Sequence, residues 1–233
     1  MSITITLSGH TSELTASYMP PIDLPRKNDG KDWYVGLIDF HTFYSIPNID
    51  YSNNVIGIGP YTIILPEGTY EIKEIFDYLN QQVQEKEPDE DEIISLQGNL
   101  NTLQCAIKSK YDIDFTHKNS LGSVLGYRPK VLKAGKLHYS DLPVDLVKVH
   151  DIRIECNVAT KSFINERPAH LIYAFCPDVE PGYRLIQRPS KIIYYPLTTD
   201  SISELRVRIV DQQGKLCNFR GEELTLRLNL VYQ

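Results

Sequence analysis

The sequence predicts an all-β protein: a single jelly-roll antiparallel β-sandwich with one inserted α-helix. Apolar and polar residues alternate with period two through many short runs, as strands with one buried face require. The 233 residues include 14 prolines, 13 glycines and 15 tyrosines, a mixture of turn formers and strand formers. Only one long stretch carries the helical period. Many short strands at turn-spaced intervals around a single helix fit a sandwich of the jelly-roll kind.

Met1–His10 alternates apolar with polar and has no basic lead, so it is expected to be the first strand rather than a signal peptide. Leu14–Gly30 holds Pro20, Pro21, Pro25 and Asn28-Asp29-Gly30 and reads as an extended arm or loop ending in a turn. Trp33–Phe40 is rich in β-formers and reads as a buried strand, broken by Ile46-Pro47-Asn48-Ile49. Val55–Ile58 and Tyr61–Leu65 are short strands split by Gly59-Pro60.

Between Tyr70 and Gln84 the apolar residues Ile72, Ile75, Phe76, Leu79 and Val83 recur three and four apart, which places them on one helical face. Thr69 is the expected N-cap, and Glu71 and Glu74 suit the positive end of the helix dipole. The acidic run Glu85–Glu92 stops the helix and reads as a solvated loop, since it lacks the glycine and spaced oxygens of a calcium loop.

Strands resume at Leu103–Ile107 and Tyr111–Phe115, and Ser120–Gly126 reads as one helical turn closed by glycine. Ile152, Ile154, Cys156 and Val158 form the apolar side of another strand, and Leu171, Tyr173 and Phe175 that of the next. Turns are expected at Pro177-Asp178 and Pro181-Gly182, followed by a strand at Ile192–Tyr195. Leu205, Val207 and Ile209 alternate with Arg206 and Arg208 before the turn Asp211–Lys215. Leu224, Leu226, Leu228 and Leu230 alternate with Thr225, Arg227 and Asn229 after it.

Thirty acids against 24 bases give a net charge of −6 with no basic block, so no direct grip on nucleic acid is expected. No apolar run approaches the ~20 residues of a membrane span. Cys105, Cys156, Cys176 and Cys217 form no Cys-x-x-Cys pair and read as reduced thiols of an intracellular protein. His10, His41, His117, His138, His150 and His170 are isolated, so a cupin-like metal site would need remote assembly. Gly57-Ile58-Gly59-Pro60 lacks the third glycine of a dinucleotide loop, and no Gly-x-Ser-x-Gly elbow or Gly-Lys-Ser/Thr triplet occurs. Arg206, Arg208 and Arg227 are expected on one polar sheet face, in cross-strand ion pairs with Glu204, Asp211, Glu222 or Glu223. No catalytic, metal-ligating or cofactor-binding residue is therefore expected, and the chain does not read as an enzyme.

Specific words of the sequence add a resemblance. Pro20-Pro21-Ile22-Asp23-Leu24, Trp33–Phe40 and Ser45-Ile46-Pro47-Asn48-Ile49 resemble the N-terminal part of a capsid protein of Polinton (Maverick) elements and their adintovirus relatives. Gly68–Ile72, Asp114-Phe115, Ser120–Tyr127, Ile154–Asn157, Pro181–Tyr183 and Ile193–Pro196 follow in the same order. Arg208–Gly214 and Phe219–Leu228 close the series as its most specific part.

Those elements encode a long double jelly-roll major capsid protein and a short single jelly-roll minor one, and by length this chain resembles the minor, penton-type protein. The resemblance implies a structural virion protein, a homopentamer at the five-fold vertices of an icosahedral capsid, partnered by the major capsid protein. It implies one jelly-roll capsid domain over 1–233, with the helix and acidic loop of 66–100 inserted in it. Leu14–Gly30, Ser45–Ile49 and Gly182–Pro189 are the expected contributors to contacts between copies. Competing readings are a carbohydrate- or receptor-binding sandwich with a tyrosine-lined groove, a cupin-type metalloenzyme, and a domesticated host copy of the capsid gene.

Overall fold

The structure, a computed structural model, describes residues 1–27, 29–88, 93–99 and 102–233. In chain order, β1 (Ser2–Gly9), β2 (Glu13–Asp23) and β3 (Trp33–Phe43) come first. They are followed by β4 (Val55–Ile58), β5 (Tyr61–Ile64), α1 (Ile72–Gln84), β6 (Ile94–Asn99), β7 (Gln104–Ser109), β8 (Ile113–Asp114), α2 (Gly122–Leu125), β9 (Val131–Leu132) and β10 (Leu137–Tyr139). Then come β11 (Ile152–Cys156), β12 (Ser162–Ile164), β13 (Arg167–Ala169), β14 (Leu171–Phe175), β15 (Arg184–Gln187), β16 (Tyr195–Pro196), β17 (Ser201–Val210) and β18 (Leu224–Tyr232). Asn28 of the expected turn and Asp89–Glu92 of the acidic run lie outside the described residues.

The elements form two compact units, Met1–Ile46 with Val149–Gln233, and Pro47–Lys148. The inserted segment thus runs from 47 to 148, where the sequence reads as one domain with an insertion of 66–100. The physical reason is that a 13-residue helix is marginal alone. The apolar face of α1 needs strands from both sides of it in sequence, and with them builds a second core.

The sandwich of the first unit consists of two sheets, ordered β1-β18-β3-β15 and β14-β11-β17-β2, and β12-β13 forms a separate two-stranded hairpin. With β1, β2, β3, β11, β14, β15, β17 and β18 taken in chain order as first to eighth, one sheet reads first-eighth-third-sixth. The other reads second-seventh-fourth-fifth. This is the strand order of a jelly roll. β17 and β18, close in sequence, belong to different sheets, and their inward residues Leu205, Val207, Ile209, Leu224, Leu226, Leu228 and Leu230 meet in one core. A one-residue slip of β18 would turn four buried leucines outward at about 1.5–3 kcal/mol each, so the register is strongly fixed.

Three departures from regular pairing shape this unit. In β2, Glu13–Ser17 pair with Arg208–Glu204 and Ile22 pairs with Ile202, so residues 18–21 bulge opposite Ser203. The expected arm is therefore an edge strand, and the bulge accommodates Pro20 and Pro21, which have no N–H to donate. In β14, a register shift turns Ile172 into the core beside Phe175, and Tyr173 of the expected alternation is only half-buried. In β3, Arg227 faces Asp39 and Leu228 faces Leu37, leaving Ile38 as the extra residue. The inward set changes there from Val35 and Leu37 to Phe40, and Asp39 turns to the outer face.

β15 and β16 lie along the same flank of β3, at opposite ends of it. Between them, Ile192–Tyr194 crosses Gly36, where a Cβ would stand 2.4 Å from Ile192 Cγ2 and 2.9 Å from the Ile193 carbonyl oxygen. Only glycine permits that approach, and the strand expected at Ile192–Tyr195 is confined to Tyr195–Pro196.

The second unit carries sheets β5-β4-β8-β9 and β10-β7-β6. Ile75, Phe76, Leu79 and Val83 of α1 pack in its core with Ile56, Ile58, Ile107 and Phe115. The N-cap is Glu71 rather than Thr69, and the Glu74 carboxylate accepts the Glu71 N–H at 2.8 Å. Asn80 ties α1 to β6: its amide accepts the Ile94 N–H and donates to the Ile94 carbonyl, both at 2.8 Å. α2 ends at Gly126, at φ 78°. Near one end of the unit, Asp50 forms an ion pair with Lys148 at the other.

Candidate assembly surfaces on the jelly roll

The bulge at Ile38 builds an ion pair with a buried carboxylate on the outer face of the first sheet. Asp39, its side chain 2% exposed, accepts hydrogen bonds from Arg227 Nε at 2.8 Å and 3.1 Å and from Arg227 Nη2. Arg188 Nε lies 4.0 Å and His41 Nε2 3.5 Å from the same carboxylate. The Arg227 guanidinium holds the Asp39 carboxyl below the usual carboxylate range against the opposing effect of burial. Among the described residues, His41 Nε2 is buried with no hydrogen-bond partner.

Register carries this face toward the β15 flank, where Ile186 stands opposite His41 and Arg184 opposite Phe43. Tyr44 N–H donates to the Tyr183 carbonyl at 2.9 Å, which fixes Tyr183 beside them. Phe43, Tyr183 and Ile186 are 46%, 64% and 41% exposed, an apolar group among guanidinium groups. Large side chains exposed together mark contact surfaces.

The opposite flank carries a different feature. Met19, at the tip of the β2 bulge, is 98% exposed and is followed by exposed Pro20 and Pro21. Asp23 on β2, Glu204 on β17 and Asp200 just before β17 flank it.

The expected arginine stripe is divided. Arg206 and Arg208 lie on the second sheet and Arg227 on the first. Arg208 pairs with Glu155 at 2.9 Å and Glu13 at 3.6 Å, and Arg206 with Glu204 at 3.8 Å. Among the described residues, Glu204 is thus the one expected acid that pairs with these arginines; Asp39, Glu13 and Glu155 become neighbours through pairing of remote strands.

The histidines are dispersed, and among the described residues no group of three His, Cys, Asp or Glu is placed to hold a metal ion. His10, His138 and His170 each meet a carbonyl oxygen, of Gly221, Lys133 and Ala159 respectively, and His117 lies 4.0 Å from Asp114. His150 is exposed. Among the described residues, no helix is long and apolar enough to cross a membrane. A groove of about 690 Å³ lies beneath the β12–β13 hairpin, lined by Arg153, Glu155, Arg167, His170 and Gln213 among others, with no tyrosine, tryptophan or phenylalanine in its lining. It is not the tyrosine-lined groove a glycan-binding sandwich predicts.

Strand order, core and inserted unit together define an all-β jelly-roll sandwich with a second unit between its third and fourth strands. Neither a family profile nor a curated protein matches the sequence. Among solved structures, the chain is similar to the mavirus penton protein, known from selenomethionine-labelled crystals. The two share 9% sequence identity, with a TM-score of 0.53 over 100% of both chains. The likeness is one of fold, and it runs the full length of each.

Sequence reasoning missed Asp39 as a structural centre and Met19 as a projecting side chain. The signal was present in each case: an acid inside an apolar strand run, and paired prolines interrupting a strand-like one.

Proposed function

We propose that this chain is a structural virion protein, the penton-type minor capsid subunit of a Polinton-like virus or element. Five copies would close each five-fold vertex of an icosahedral shell, next to a double jelly-roll major capsid protein. In this reading the jelly roll is the shell-forming part and residues 47–148 an accessory body. The observation that carries it is the end-to-end likeness in fold to a penton protein. The capsid-protein resemblance of the sequence motifs and the exposed apolar groups on two flanks support it. A ring of identical subunits requires that one flank fit a different flank of the next copy, and the jelly roll presents two unlike flanks.

The native mass of the full chain tests this reading, by light scattering or native mass spectrometry. Five copies are expected. A monomer at high concentration, both alone and with the major capsid protein, would sink it.

A further inference from the structure

We infer that the Met19–Pro21 knob of one copy docks on the Phe43–Tyr183–Ile186 face of the next; the inference rests on the penton reading and names its contact. Three observations converge on it.

The first is position. Strand order places β1 and β2 on one flank of the sandwich and β15 and β14 on the other. The knob projects from β2, and the apolar group lies at β15 and the adjoining end of β3. A contact joining two opposite flanks is head-to-tail, the kind that closes a ring.

The second is chemistry. Met19 is fully offered to solvent and unbranched, so it can adapt to an irregular apolar hollow. Pro20 and Pro21 remove two N–H donors from this edge, which blocks simple strand addition. Copies meeting here must therefore use side chains rather than a shared sheet.

The third is charge. The knob is bordered by Asp23, Asp200 and Glu204, with Arg26 and Arg206 as counter-charges. The receiving face presents Arg184, Arg188 and Arg227 around the buried carboxylate of Asp39, with Glu180 as its exposed acid on the turn before Tyr183. An acid-bordered apolar knob and an arginine-bordered apolar face are complementary.

The test uses the full-length protein and three variants, Met19→Lys, Ile186→Glu and the double change, read as native mass against concentration and as melting temperature. Both side chains are exposed, so folding should be retained. Each single change should weaken association at least about tenfold, and the double change should recover much of it through a new ion pair across the contact. Single variants that stay pentameric overturn this contact and leave the penton reading standing. A double variant no better associated than the singles also overturns it. A wild-type chain that stays monomeric, both alone and with the major capsid protein, overturns the penton reading and this contact with it.

Discussion

Arg227 grips Asp39 with two nitrogens, Nε at 2.8 Å from one carboxylate oxygen and Nη2 on the other, across the β3–β18 ladder. The carboxylate is buried while the guanidinium reaches solvent. This asymmetry orders the consequences of removing either partner. Arg227→Ala strands a buried charge, whereas Asp39→Ala frees an arginine that can swing into water. Thermal unfolding should show the larger loss of melting temperature for Arg227→Ala. Equal losses would mean that the pair contributes through packing alone.

The same pair sets a pH response. Arg227 holds the Asp39 pKa below that of an unfolded aspartate, ordinarily ~3.9. A depressed folded-state pKa contributes stability above the unfolded value, and that stability is lost as pH falls through the folded one. At Asp50 burial acts to raise the pKa, but hydrogen bonds from Lys148 and Ser52 outweigh it and the net shift is downward, so its contribution has the same sign. Urea midpoints should fall as pH drops below about 4. In Arg227→Ala the Asp39 share of that slope should vanish or reverse, because protonation then relieves a stranded charge.

Cysteine reactivity should single out one thiol. Burial pushes Cys105 and Cys217 up to about 12 and Cys156 up to about 11, so these are thiols at neutral pH. Cys176 is exposed. A disulfide reagent added to the native protein at pH 8 should label one cysteine rapidly, and Cys176→Ser should abolish that fast phase. Four labels in urea would complete the count.

Gly126 closes α2 at φ 78°, and a Cβ there would stand 2.2 Å from the Leu142 carbonyl oxygen. Gly126→Ala combines left-handed strain of about 1–3 kcal/mol with a backbone collision, so a loss above ~2 kcal/mol is expected. Hydrogen exchange should accelerate within 47–148, which has its own core, while amides of the jelly-roll strands keep their protection.

The elements that could be read from the sequence are those whose signal is local. α1 announced itself by five apolar residues on one face, and β18 by four alternating leucines. Gly126 fell where a helical turn needed its end. The β2 edge strand was hidden because its prolines argue locally against a strand, and only the pairing with β17 shows that a bulge makes room for them. The extent of the inserted unit was hidden because a core shared by α1, β4, β7 and Phe115 is a property of contacts far apart in sequence.

Periodicity along the chain thus determined the all-β class and the helix α1, because burial of one face imprints itself every second or every third to fourth residue. The sheet each strand joins, the bulge that turns Asp39 outward to Arg227, and the placing of Met19 and Ile186 on opposite flanks were decided only by the tertiary structure. Strand pairing and register depend on partners as far apart as Ser2 and Val231, and no short stretch of sequence contains them.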